Sequence, residues 1–149
     1  MAVLSNTCQY AVRASIYLAL NGGEEEKIGI KKISDELDIP SPFLSKILQN
    51  LVKYRILSST KGPHGGFGLE KKADDITMLE IIKIIDGNGL FEDCLIGLRS
   101  CREKGHDVVP CPMHKKYRPI SNQLYKLFKN TTIGELAKEI EKADGKIGI

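Results

Sequence analysis

The sequence predicts a mainly α fold with a small β-hairpin, arranged as a winged helix–turn–helix followed by a long helix. Three observations predict it. Two stretches with helical apolar spacing, 30–38 and 42–54, are separated by a proline-bearing break. Two short strand-like runs joined by "KGPHGG" follow at once. A third apolar stripe then recurs every three or four residues from about 113 to 129.

The elements follow in order. Residues 6–21 read as a helix with Ala11, Val12, Leu18 and Ala19 on one side and the small Ser15 between them. "NGGEEEK" breaks it. In "IKKISDELD", Ile30, Ile33 and Leu37 share one helical face. Pro40 stops that helix, Ser41 is a favourable N-cap, and Pro42 suits the first helical position, where its missing N–H costs nothing. The next helix, 42–54, puts Phe43, Leu44, Ile47, Leu48 and Leu51 on the buried face and leaves Ser45, Lys46, Gln49, Asn50 and Lys53 on the other. "ILSST" and "FGLEK" are the arms of a hairpin, and Gly62, Gly65 and Gly66 permit a tight, left-handed connection. Thr77 with Glu80, and Thr132 with Glu135, are capping-box pairs that open two further helices. Between 113 and 129 the stripe is Tyr117, Ile120, Leu124, Leu127 and Phe128; Pro119 either kinks this helix or marks its start. The tail "DGKIGI" reads as loose. The expected divisions are a winged-helix domain over 1–87, a cysteine-rich loop over 88–112, and a long helix plus a C-terminal helix over 113–149.

A chain of 149 residues with 42% apolar content can bury a real core. No run reaches the roughly 18 apolar residues of a membrane span, and the opening lacks the basic start and cleavage site of a signal peptide. The expectation is a cytoplasmic protein with reduced thiols and no membrane partner. There is no nucleotide-type Gly-rich loop, no Ser/His/Asp arrangement and no CxxC, so neither an enzyme nor a small-molecule substrate is expected.

The formal charge of +3 is uninformative, but its placement is not. Residues 1–86 carry 11 basic and 11 acidic side chains, yet no acid lies between Asp38 and Glu70, where Lys46, Lys53, Arg55 and Lys61 stand. In a helix–turn–helix the second helix docks by its apolar face and enters the major groove with the other. Ser41, Ser45, Lys46, Gln49, Asn50 and Lys53 are the side chains so placed, able to bond base edges or phosphates of double-stranded DNA. Lys61 and His64 on the hairpin would follow the neighbouring backbone, with Gly65 and Gly66 allowing close approach. The plainer alternative is a solvated helix face.

"LSNTCQYAVRASIYLA", "ISDELDIPSPFLSKILQNL", "STKGPHGGFGL", "DITMLEIIKIIDG" and "CPMHKKYRPISNQLYKLFKNTTIGEL" together resemble the IscR-type winged-helix transcriptional regulators, bacterial repressors that include IscR, NsrR, RirA and CymR. The resemblance spans nearly the whole chain. It implies a homodimer on a pseudo-palindromic operator, with Tyr117, Ile120, Leu124 and Leu127 on the dimerisation helix. One departure is local: family members usually close the recognition helix with Gly, and this chain has Arg55. Either the cap is built differently, or Arg55 is kept for a phosphate.

Five of the chain's seven Cys and His side chains fall between 94 and 114. The resemblance implies that Cys94, Cys101 and Cys111 hold an iron–sulfur cluster, [2Fe–2S] or [4Fe–4S], with His114 as fourth ligand. His106 and Cys8 are alternatives for that ligand, although Cys8 also reads as a small buried hydrophobe. A Cys3His set equally suits Zn²⁺, and a metal-free thiol switch or a partner-controlled regulator stays open. Thiolates stabilise ferric iron, and a neutral imidazole raises the reduction potential.

Overall fold

The computed structural model describes residues 3–22, 26–98 and 111–149. Its order is α1 (Asn6–Asn21), α2 (Ile30–Leu37), α3 (Ser41–Lys53), β1 (Leu57–Thr60), β2 (Gly66–Leu69), a 3-10 turn (Ala73–Asp75), α4 (Met78–Ile85), α5 (Gly89–Glu92), α6 (His114–Asn130) and α7 (Ile133–Lys142). The fold is thus mainly helical with one antiparallel hairpin, as the apolar spacing and the glycines predict.

α1 is the centre of the core. Cys8, Ala11, Val12, Ala14, Ser15, Ile16, Tyr17 and Leu18 are all buried, because α3, α4 and α7 pack around it. Ser15 tolerates that burial by donating its hydroxyl to the Ala11 carbonyl at 2.8 Å. Ser5 caps the helix, accepting from the Cys8 N–H at 3.0 Å. The same Ser5 donates its own N–H to Asp86 at 3.0 Å and its hydroxyl to the other Asp86 oxygen. The start of α1 is therefore tied to the end of α4.

α2 ends where Asp38 turns left-handed at φ 55, with the Ile39 N–H returning to the Ser34 carbonyl at 3.1 Å. α3 begins one residue earlier than expected. Pro40, not Ser41, is the N-cap, and no side chain caps the helix. The reason is the backbone: Leu44 donates to the Pro40 carbonyl at 2.9 Å, which draws Ser41 into the first turn. A second correction concerns Phe43. Leu44, Ile47, Leu48 and Leu51 are buried as expected, but Phe43 is 43% exposed. It lies at the margin of the apolar stripe, where periodicity alone does not decide.

β1 pairs with β2 in the register Leu57↔Leu69 to Thr60↔Gly66. The sheet gains a third partner from a distant segment, since Ile28 and Phe67 exchange backbone bonds at 2.8 and 2.9 Å. Of the three hairpin glycines, Gly62 alone supplies a left-handed residue, at φ +105. Gly65 and Gly66 are needed for space: a Cβ on Gly65 would lie 2.3 Å from the Thr60 carbonyl oxygen, and one on Gly66 2.3 Å from that of Ile28.

The Thr77/Glu80 capping box of α4 is complete, and the Thr132 hydroxyl accepts from the Glu135 N–H at 3.1 Å to open α7. The two helix starts are laced together by Met78 N–H to Thr131 and Ile133 N–H to Ile76. α7 joins the common core, with Ile133 and Ala137 buried there. The tail is not loose: Ile149 packs on the core, and its carbonyl accepts from Arg13 Nε at 2.7 Å.

Glu80 carries a pH signature. Burial alone would raise its pKa, but the Lys71 bond at 2.6 Å and the Thr77 N–H at 2.9 Å overcome it and hold the carboxyl below its ordinary range. Its folded pKa is below its unfolded one. The stability it supplies is therefore present at neutral pH and is lost as pH falls from the ordinary carboxylate value, about 4.3, through the lower folded value. Glu80→Gln is expected to lower stability at pH 7 and to flatten this acid limb, as read by urea unfolding over a pH series.

Candidate nucleic-acid interface and cysteine site

The recognition-type helix presents one continuous polar face. Lys46, Gln49 and Lys53 are exposed, and Ser41, Ser45 and Asn50 are half-buried at its margins. Lys61 and His64 are exposed on the hairpin connection, and Gly65 and Gly66 are half-buried beside them. The helix and the wing therefore carry every side chain predicted for DNA at the surface. Gly66 also has a role inside the chain, because a Cβ there would strike the backbone of Ile28.

α3 closes with a left-handed cap after all. Arg55 has φ 60, its N–H reaches the Val52 carbonyl at 3.0 Å, and the Ile56 N–H reaches Leu51 at 3.0 Å. This is the paired Schellman pattern, with Ile56 buried behind it. The arginine therefore bears the strain that glycine avoids, about 1 kcal/mol. Arg55→Gly is expected to stabilise the fold by about that amount. If the guanidinium also meets a phosphate, the same variant weakens DNA binding and flattens its salt dependence by about one unit of slope. Urea unfolding and a salt titration of binding read the two effects separately.

Sequence reasoning missed Phe43 at this surface. The ring stands on the first turn of α3 and packs edge-to-face on Tyr10, with centroids 5.8 Å apart. Its exposure leaves it beside Lys46 and Asn50, at i+3 and i+7 on the same side of the helix.

The cysteine site lies between α5 and α6. Cys94 follows α5 and is half-buried; Cys111 precedes α6 and is 6% exposed. Their sulfurs stand 3.7 Å apart across the loop. Two thiolates held 2.3 Å from one tetrahedral metal ion would be separated by about 3.8 Å. The pair thus fits two ligands of a shared metal. His114 is the first residue of α6, is exposed, and donates its backbone N–H to the Cys111 carbonyl at 2.8 Å. Cys101 and His106 lie outside the described residues. Among the described residues, no three Cys, His, Asp or Glu side chains converge as a metal cage, so His114 is not gathered with the two sulfurs into one. Cys8 is fully buried, and burial, aided by the charge of Asp86, pushes its thiol up to about 12. It stays a neutral thiol in the core.

α5 and α6 form one unit. Phe91 packs on Tyr125 and Phe128 with centroids 5.3 and 6.3 Å away, and the Tyr117 hydroxyl donates to the Leu90 carbonyl at 2.9 Å. α6 runs through Pro119 without ending. Its predicted stripe divides. Phe128 is buried, Tyr117 and Leu124 are half-buried, and Ile120 and Leu127 are 55% and 56% exposed. No helix among the described residues is long and apolar enough to cross a membrane.

Comparison with known proteins agrees with this architecture. Residues 4–139 match the Rrf2 family model, described as iron-dependent transcriptional regulators. A protein of Aquifex aeolicus named as an HTH-type transcriptional regulator is 36% identical over 140 residues, covering 94% of each chain. The transcriptional regulator IscR of Escherichia coli O1:K1 is 30% identical over 143 residues, covering 95% of this chain and 83% of its own. Among solved structures, the fold is shared with CymR, the global cysteine regulator of B. subtilis, at a TM-score of 0.75 and 22% identity, over 93% of this chain and 98% of that one. It is shared equally with T. potens IscR, at a TM-score of 0.75 and 20% identity, over 97% and 93%. The helix–turn–helix, the wing and the helix that follows the cysteine loop thus place this chain in the Rrf2 family of DNA-binding transcriptional regulators.

Proposed function

We propose that the protein is a homodimeric, cytoplasmic regulator whose grip on its operator is set by an iron–sulfur cluster held by Cys94, Cys101, Cys111 and His114. The observation that carries this reading is the approach of the Cys94 and Cys111 sulfurs to 3.7 Å. That separation suits two thiolates that would hold one metal centre, with Cys101 and His114 completing the set. A bound cluster supplies oxidant-sensitive iron–thiolate bonds and, through one imidazole ligand, a raised potential.

The chain's own residues do the rest. Cys94 trails α5 and Cys111 leads α6, so a tie between their sulfurs fixes where α6 begins. Ile120, Leu124 and Leu127 form a row at i, i+4 and i+7 whose two ends are exposed in the single chain. In our reading a second copy covers that row, and tension or slack at Cys111 alters how the two α3 helices are spaced. Ser45, Lys46, Gln49 and Asn50 then meet base edges or phosphates in the major groove, and Lys53, Lys61 and His64 meet backbone. No part of this assembly needs catalysis.

The second reading is a Zn²⁺ site, which the same sulfur separation suits. Purification without oxygen, followed by visible spectroscopy and iron, sulfide and zinc analysis, separates the two. Iron and sulfide in equal amounts, with operator affinity differing between filled and empty forms, support the cluster. A colourless protein that stays free of iron after reconstitution sinks it, and stoichiometric zinc installs the alternative. Equal operator affinity in both forms removes the sensing role while leaving DNA binding intact.

A further inference from the structure

We propose that Phe43 is a sequence-reading residue, recognising the C5 methyl group of a thymine in the operator. The inference rests on the DNA-binding reading above and adds a determinant that the polar face does not contain.

Three observations carry it. The first is position. Phe43 sits in the first turn of α3, the part of such a helix that reaches base edges. The second is exposure, at 43% for a large apolar ring surrounded by exposed Pro42 and Lys46. Within this helix Phe43 and Pro42 are the exposed apolar side chains, and Val52 is half-buried. The third is immobilisation. Tyr10 meets the ring edge-on at 5.8 Å, and the Arg13 guanidinium lies 5.8 Å from the Tyr10 centroid. Arg13 is fixed in turn by donating to the Leu37 carbonyl at 2.8 Å and the Ile149 carbonyl at 2.7 Å. A merely tolerated surface aromatic needs no such buttress.

The chemistry points to one target. A phenyl ring offers no hydrogen bond, so it cannot read the donor and acceptor pattern of a base pair. In the major groove the thymine methyl is the apolar feature that distinguishes a base, and Phe is among the side chains that contact it. A ring already held in place pays little side-chain entropy on docking. The polar neighbours Lys46 and Asn50 fix the register, and Phe43 adds a preference for T at one position of each half-site.

The test starts from DNA selected by the full-length protein out of a random pool. Each thymine of the selected site is then replaced singly by deoxyuridine, which removes only the methyl. The expected result is a loss of about fourfold in affinity at one symmetry-related position, the worth of one buried methyl-sized group. Phe43→Ala should bind more weakly and show no further loss with uridine there. Because that variant could fold poorly, 5-iodouridine at the same position is also irradiated with the wild-type protein. A crosslink mapped to Phe43 supports the proposal. A flat uridine scan, a uridine penalty that persists in a folded Phe43→Ala variant, or a crosslink to another residue overturns it while DNA binding stands. Failure to select any sequence overturns the DNA-binding reading, and this inference with it.

Discussion

Gly66→Ala is expected to detach the wing and abolish specific DNA binding. The added methyl would lie 2.3 Å from the Ile28 carbonyl oxygen, 2.4 Å from its carbon and 2.8 Å from the Gly29 nitrogen. All three are backbone atoms, so no rotamer change relieves the clash. β2 must move away from Ile28, which breaks both bonds between Ile28 and Phe67. Phe67, 6% exposed, loses its cover with them. Overpacking of this kind costs about 1–3 kcal/mol and each lost bond about 1 more, a cost of about 3–5 kcal/mol in all. Against a total stability on the order of 5–15 kcal/mol, the core survives more readily than the hairpin does. The predicted outcome is therefore a protein that still melts cooperatively at lower denaturant, with fast amide exchange at Phe67 and no operator affinity. Normal exchange and normal binding would show that the strand accommodates the methyl.

Cys111→Ala is expected to reduce the iron content of anaerobically prepared protein to background and to equalise operator affinity between reconstituted and untreated samples. Cys111 is almost fully buried with its sulfur facing Cys94, so no surface residue can replace it. The stability of the empty protein should fall only by about 1 kcal/mol, because the sulfur is a small volume to remove. Cys8→Ala is the matched control. Its thiol is buried and resists ionisation up to about 12, so its loss should leave iron content unchanged. The reverse pattern, iron lost with Cys8 and kept without Cys111, would move the ligand set to α1.

Local chemistry was the legible part of this chain. Pro40 and Pro42, the glycines of 62–66 and the Thr77/Glu80 box act within a few residues of themselves, so the helix–turn–helix, the hairpin and α4 could all be placed from sequence. The N-cap of α3 could not, because Ser41 is the favoured cap by residue type and only the Leu44 hydrogen bond to Pro40 moves the start back by one residue. Spacing alone puts Phe43 on the core face, because helical spacing gives an angle, not a neighbour; its place depends on Tyr10, 33 positions away. The third member of the wing, Ile28, sits in a segment with no strand-like run, and its pairing is wholly long-range. The glycine at 66 is visible in the sequence, but its need for space against the Ile28 backbone is not, since that neighbour is 38 positions away. The sulfur pair was foreseeable only through resemblance, since spacing of six and nine intervening residues does not by itself bring thiols together.

Asp86 grips Ser5 by two bonds, and Ser5 is the foot of α1. Five residues up the same helix, less than two turns, stands Tyr10, the brace of Phe43. A stiff rod so short leaves no slack between its ends. Whatever rocks the far end of α4 must therefore also move Tyr10 and the exposed ring that it braces, through a mechanical linkage only one helix long.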